Sequence, residues 1–135
     1  MTLTASDLAV GDTKTEVLTE DLTRTQIVQY AGASGDYNPL HTDDLFTREV
    51  AGYPGVFAHG MLTMGMTGRI LTDWVGDGRL TRYGVRFVSQ VWPGDRLTAT
   101  ATVTAIDGDT VEFDVVTVNQ HDAPVVTGTA AARLG

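Results

Sequence analysis

The sequence predicts an α+β fold, and two features carry the prediction. Helix-type signals occupy the chain up to about Val75, and from there on apolar and polar residues alternate at the period of a strand. Between the two regimes lies a glycine-punctuated apolar segment, Gly60 to about Val75, whose Met61, Leu62, Met64, Met66, Ile70, Leu71 and Trp74 surround a helix on most sides. Such a helix has to be wrapped, and the strands that follow are the material available. The expected molecule is one domain, residues 1–135, with a curved antiparallel sheet around a long central helix.

Taken in order, Val10-Gly11-Asp12 reads as a turn before a short polar strand. Thr23 and Gln26 then fit a capping box, with Leu22 and Ile27 as its hydrophobic staple, which starts a helix expected to run to about Gly32. Gly32 through Pro39 read as a loop. Asp43 and Asp44 suit the N-terminus of a second short helix, with Leu45, Phe46 and Val50 as its apolar side. After the central helix, strands are expected over Thr81 to Trp92, Arg96 to Ile106, Thr110 to Asn119 and Val125 to Leu134. The breaks at Pro93-Gly94-Asp95, Asp107-Gly108-Asp109 and His121 to Pro124 suggest a four-strand meander with short antiparallel connections. The clearest alternation sets Leu97, Ala99, Ala101, Val103 and Ala105 against Thr98, Thr100, Thr102 and Thr104.

Composition removes several classes of function. A formal net charge of −8 with only 9 Lys and Arg argues against nucleic acid, whose phosphates need a basic face. Arg79, Arg82 and Arg86 form the nearest approach to a phosphate-binding group, though a solvated sheet edge explains them equally well. With no cysteine there is no disulfide, thiolate nucleophile or zinc–thiolate site. Residues 1–10 hold no basic residue and no apolar run of signal-peptide length, which reads as cytoplasmic. A membrane span over Val56 to Val75 is not expected, because His59, Arg69, Asp73 and several glycines interrupt it.

The chemistry concentrates in Ser34-Gly35-Asp36-Tyr37-Asn38-Pro39-Leu40-His41. Asp36 and His41 stand five positions apart, and Pro39 fixes its own φ while holding Asn38 extended, so the carboxylate and imidazole are constrained as proton transfer requires. The same residues also read as turn formers, with His41 a cap for the next helix. A metal set of Asp36, His41, Asp43, Asp44 and His59 exists on paper, without a recognised ligand spacing to support it. Ser34 is not a nucleophile-elbow serine, since Asp36 stands where that motif needs its second glycine. A second feature is Ala58-His59-Gly60-Met61 at the start of the central helix. Free N–H groups there suit an oxygen that becomes negative, and Gly60 lets a ligand approach the backbone; Gly60 also reads as a helix-entry glycine, and His59 by itself reads rather as a satisfied core histidine.

Tyr30, the Ser34 to His41 segment and Ala58-His59-Gly60-Met61, at this spacing, resemble the MaoC-like (R)-specific enoyl-thioester hydratases and dehydratases. The resemblance extends to Val85-Arg86-Phe87 and Trp92-Pro93-Gly94-Asp95, and within the family it looks most similar to the B-type subunit of mycobacterial (3R)-hydroxyacyl carrier-protein dehydratases. It implies a hot-dog fold, usually a dimer: a homodimer, or a heterodimer with a related hot-dog subunit. It places the catalytic pair on Asp36 and His41 and the donor to the thioester carbonyl on the Gly60 N–H, with Asn38 fixing the loop. The implied substrate is an acyl thioester of coenzyme A or acyl carrier protein, with no cofactor and no metal. Serine stands in some standalone hydratases where this chain has Gly68, and alanine or serine is usual where it has Thr47. A hot-dog thioesterase and an acyl-binding subunit without turnover are the competing readings.

Overall fold

The computed structural model describes residues 2–135. The chain runs through β1 (Thr13–Thr19), α1 (Arg24–Ser34), α2 (Asp44–Glu49), α3 (Gly60–Val75), β2 (Leu80–Phe87), β3 (Leu97–Asp107), β4 (Thr110–Val118) and β5 (Pro124–Arg133). The strands form one five-stranded antiparallel sheet in the order β1-β3-β4-β5-β2. Ile70, Leu71 and Val75 of α3 pack on a sheet face made largely of small and β-branched residues: Ala99, Ala101, Val103, Val111, Val115, Ala130 and Ala132, with the fully buried ring of Phe113 and the half-buried ring of Tyr83 beside them. This is the hot-dog arrangement, and small side chains on the sheet are what allow the helix axis to lie close to it.

The α1 start follows its capping box in detail. The Thr23 hydroxyl accepts from Gln26 N–H at 3.1 Å, and Thr23 N–H donates to Gln26 Oε1 at 2.9 Å. The staple residues Leu22 and Ile27 are both buried, in one cluster with Ala58, Val91, Leu97 and Val125. The helix passes Gly32 and ends at Ser34, two residues beyond expectation, because Gly35 at φ 77° supplies the left-handed C-cap and its N–H reaches Ala31 C=O at 3.0 Å.

Three expectations are corrected. Only β3, β4 and β5 form a meander: β2 crosses the molecule to pair with β5, and residues 88–96 are not strand. That segment instead braces the entry to α3 and α1, since Val91 C=O accepts from Ala58 N–H at 2.8 Å and Leu22 N–H donates to Asp95 C=O at 2.9 Å. Ala105 leaves the buried face at a register shift between Val103 and Ala105, where one extra residue ends the alternation. Most of the apolar side assigned to α2 faces outward: Leu45 is 66% and Val50 71% exposed, Phe46 is half-buried, and the buried residue is Thr47. Its hydroxyl donates to Asp43 C=O at 2.7 Å, which removes the polar penalty of burial.

The central helix is wrapped on one side only within a single chain. Thr63, Thr67, Ile70, Leu71 and Val75 are buried, whereas Met61, Gly65, Arg69 and Asp73 lie along the opposite, exposed strip. Gly68 has a steric reason to be glycine, because a Cβ there would lie 2.9 Å from the ring of Tyr83, whose hydroxyl donates to Met64 C=O at 2.7 Å. Burial pushes the Tyr83 phenol up to about 12. Two of the three arginines are engaged separately: Arg79 donates to Val75 C=O and Leu3 C=O, while Arg82 pairs with Glu112 at 3.3 Å. Among the described residues, no helix is long and apolar enough to cross a membrane.

Candidate active site

Asp36, Asn38 and His41 lie on the segment between α1 and α2, and a ladder of local side-chain bonds shapes it. Ser34 Oγ accepts from Asp36 N–H at 3.2 Å, Asp36 Oδ1 from Asn38 N–H at 3.2 Å, and Asn38 Oδ1 from Leu40 N–H at 3.0 Å. The last bond caps a single 3-10 turn, Pro39–His41, with proline at a position where it loses no hydrogen bond. The chain therefore turns twice in six residues and sets Asp36 and His41 side by side. Turn formation and site construction are here the same act.

His41 is half-buried, and its Nδ1–H donates to Phe57 C=O at 2.6 Å. A carbonyl only accepts, so the proton is fixed on Nδ1 and Nε2 carries the free lone pair. Burial holds the His41 pKa below its ordinary 6.5; the hydrogen bond to Phe57 opposes this in part, neighbouring His59 reinforces it, and Asp36 opposes it weakly. The imidazole is therefore a neutral base at physiological pH.

His59, only 2% exposed, packs against this ring. The two imidazoles are stacked with centroids 3.8 Å apart and planes 24° from parallel, and Tyr30 meets His59 edge-on at 4.9 Å. His59 Nε2–H donates to the Asp36 backbone C=O at 3.0 Å, which leaves its buried Nδ1 without a partner among the described residues. Asp36, His41 and His59 each present one side-chain donor or acceptor atom within 4.8 Å of the others. The other two members of the paper metal set are engaged elsewhere: Asp43 Oδ1 accepts from Phe46 N–H at 3.1 Å, and Asp44 bridges Arg24 at 2.6 Å and Val56 N–H at 3.0 Å. The Arg24 guanidinium, and then the Val56 N–H, hold the Asp44 carboxyl below its usual range.

Gly60 opens α3 directly beside this cluster. His59 at the N-cap is extended, at φ −60° and ψ 135°, and makes no side-chain cap, so the first-turn N–H groups are not closed off by a capping side chain. A Cβ on Gly60 would come within 3.1 Å of the Phe87 ring, and Gly60, Phe87, Val88, Ser89 and Gln90 line a recess of about 260 Å³. On the far side of Tyr30 a larger groove of about 620 Å³ runs between α1, β1 and α3, with Leu62, Met66 and Ile70 in its wall.

All four residues singled out by sequence thus lie in one region, with Asn38 as the residue that shapes the loop. Three contributors were not visible in advance. Phe57 acts through a carbonyl, which leaves no trace in residue type. Phe87 reaches Gly60 from a distant strand, and the stacking of His59 on His41 depends on a turn that brings together rings separated by 18 positions.

Comparison with known proteins agrees with this architecture. Residues 7–124 match the model of the MaoC-like domain family. In Mycobacterium tuberculosis, 3-hydroxyacyl-thioester dehydratase Y is 42% identical over 67 residues, covering 47% of this chain and 23% of that protein. Enoyl-CoA hydratase ChsH3 from the same organism is 36% identical over 97 residues, covering 70% of this chain and 32% of its own length. The chain thus spans about a third or less of those curated relatives. Among solved structures, the (R)-hydratase of A. caviae involved in PHA biosynthesis superposes with a TM-score of 0.84 at 28% identity, covering 95% of this chain and 98% of that one. A MaoC-like dehydratase gives 0.90 at 31% identity, covering 99% of this chain and 43% of that one. With the family model matching most of its length and the same fold in solved members, the chain belongs to the MaoC-like domain family.

Proposed function

We propose that this chain is an (R)-specific hydro-lyase that adds water to trans-2-enoyl thioesters and, in reverse, removes it from (3R)-hydroxyacyl thioesters. The observation that carries the reading is the juxtaposition of a carboxylate and a neutral imidazole within 4.8 Å of each other at the head of a helix whose first turn lacks a capping side chain. The names and fold of the relatives support the same chemistry.

In this reading the thioester carbonyl accepts a hydrogen bond from Gly60 N–H. That donor and the helix dipole stabilise the enolate-like charge that develops on the carbonyl oxygen when water attacks Cβ. Asp36 and His41 hold the water between them; one takes its proton as the hydroxyl joins Cβ, and a proton is delivered to Cα. Asn38 keeps the pair in place by capping the turn that carries His41. The groove beside Tyr30 offers Leu62, Met66 and Ile70 to an acyl chain. The exposed strip of α3, with Met61 and Gly65, suits burial against a second hot-dog subunit, a homodimer in the first instance. Hot-dog complexes of two different chains are known among the structural neighbours, including ChsH1–ChsH2 of Mycobacterium tuberculosis at 26% identity and a TM-score of 0.82.

The test is loss of enoyl absorbance from crotonyl-CoA and longer trans-2-enoyl-CoA substrates, with free thiol followed in parallel. The expected result is an (R)-3-hydroxyacyl product from the protein alone, with Asp36→Asn and His41→Ala each lowering kcat by about a hundredfold or more. Release of free thiol would instead identify a thioesterase, and inactivity of a well-folded chain at every length would identify a subunit that needs a partner.

A further inference from the structure

The residue least accounted for by this chemistry is His59. A buried imidazole nitrogen without a partner among the described residues is costly, and an apolar ring of similar size would avoid that cost. The same side chain makes two contacts that no apolar ring could make together: its Nε2–H holds the backbone carbonyl of Asp36 at 3.0 Å, and its ring lies flat on His41 at 3.8 Å. Tyr30, edge-on at 4.9 Å, closes the remaining side.

We propose that His59 is a positioning residue for the acid–base pair, fixing the peptide of Asp36 by its hydrogen bond and the ring plane of His41 by stacking. This rests on the reading of Asp36 and His41 given above. The physical need is clear from exposure. Asp36 lies on an exposed segment, and its carboxylate is otherwise placed by bonds local to that segment, to Asn38 N–H and through Ser34 to its own N–H. Among the described residues, only the His59 bond ties Asp36 itself to the core. His41 is anchored at Nδ1 by Phe57, which leaves rotation about that bond to be restrained by what lies against its face. His59 is the N-cap residue of α3, so the helix that supplies the Gly60 N–H also sets the pair in register with it. An offset of about 1 Å between such groups is enough to cost about a hundredfold in rate.

The two contacts can be separated by substitution. His59→Phe keeps a flat ring against His41 but loses the hydrogen bond, and His59→Gln keeps a donor near the Nε2 position but loses the ring. In wild type and both variants, kcat and KM for crotonyl-CoA are measured together with Tm and amide hydrogen exchange of the Asp36 to His41 segment. The expected result for His59→Phe is a fall in kcat of about tenfold or more at near-constant KM, a Tm no lower than wild type, and faster exchange confined to Asn38 and its neighbours. His59→Gln should recover part of the lost kcat and slow that exchange. Unchanged kcat and exchange in His59→Phe, or equal losses in both variants accompanied by a lower Tm, would overturn the proposal and leave a purely structural core histidine. If wild type itself does not turn over enoyl thioesters, the proposed reaction fails, while the exchange comparison still decides whether His59 orders the Asp36 segment.

Discussion

His41 shows how one residue acquires chemistry from its surroundings. Its proton is placed by the Phe57 carbonyl, and its low pKa is caused chiefly by burial, so it is neutral where a free histidine would already be charged. The folded-state pKa lies below the unfolded value of 6.5, so the unfolded chain binds more protons than the folded one between the two values. The contribution of His41 to stability is therefore fully present above 6.5 and is lost as pH falls through the folded-state pKa. The acid limb of kcat/KM should lie below 6.5 for the same reason, and His41→Ala should flatten the fall of Tm between neutral and mildly acidic pH; a pH titration of Tm for both proteins checks this. The acid–base candidates were legible in sequence because Asp36, Asn38, Pro39 and His41 act within six residues, where turn chemistry is local. His59 was legible only as an ambiguous histidine, because what gives it a role is a ring and a carbonyl from a segment some 20 positions away.

Elements were readable to the extent that their causes were local. The capping box of α1 and the alternation from Leu97 to Val103 depend on near neighbours and are realised almost as written. The place of β2 was not, because nothing in Leu80 to Phe87 records that its partner is β5 rather than the next strand in sequence. Between helix and sheet the decisive polar contact is Thr67 Oγ1 to Thr117 Oγ1 at 2.6 Å, both residues fully buried. Thr67→Val should cost about 1–3 kcal/mol by stranding the Thr117 hydroxyl, whereas Thr67→Val with Thr117→Val should recover most of that loss. Urea unfolding of the two singles and the double measures the coupling. The β2–β5 seam is equally exacting: a Cβ on Gly128 would run into the carbonyl oxygen of Gly84, so Gly128→Ala should push β2 outward and lower Tm by several degrees.

At the scale of the molecule, the fold class followed from the ordering of patterns along the chain, whereas the unevenness of the wrapping did not. The residue pattern implies an α3 apolar on most sides; in the fold one side lies against the sheet and the Met61, Gly65, Arg69, Asp73 strip is open. If a second subunit covers that strip, Met61→Glu should weaken dimerisation, and sedimentation equilibrium of wild type and variant would show it as a shift toward monomer. The crossover of β2 has a further bearing on how the protein is made. On the ribosome α3 and β2 emerge before β3, β4 and β5, yet β2 can pair only with β5, whose Val126 to Ala132 register completes the sheet around the helix. At elongation rates of roughly 5–20 residues per second, a few seconds separate synthesis of β2 from that of its partner. During that interval α3 has only the β1-β3-β4 part of the sheet to rest on, and its contacts with Ala130 and Ala132 wait for the final strand.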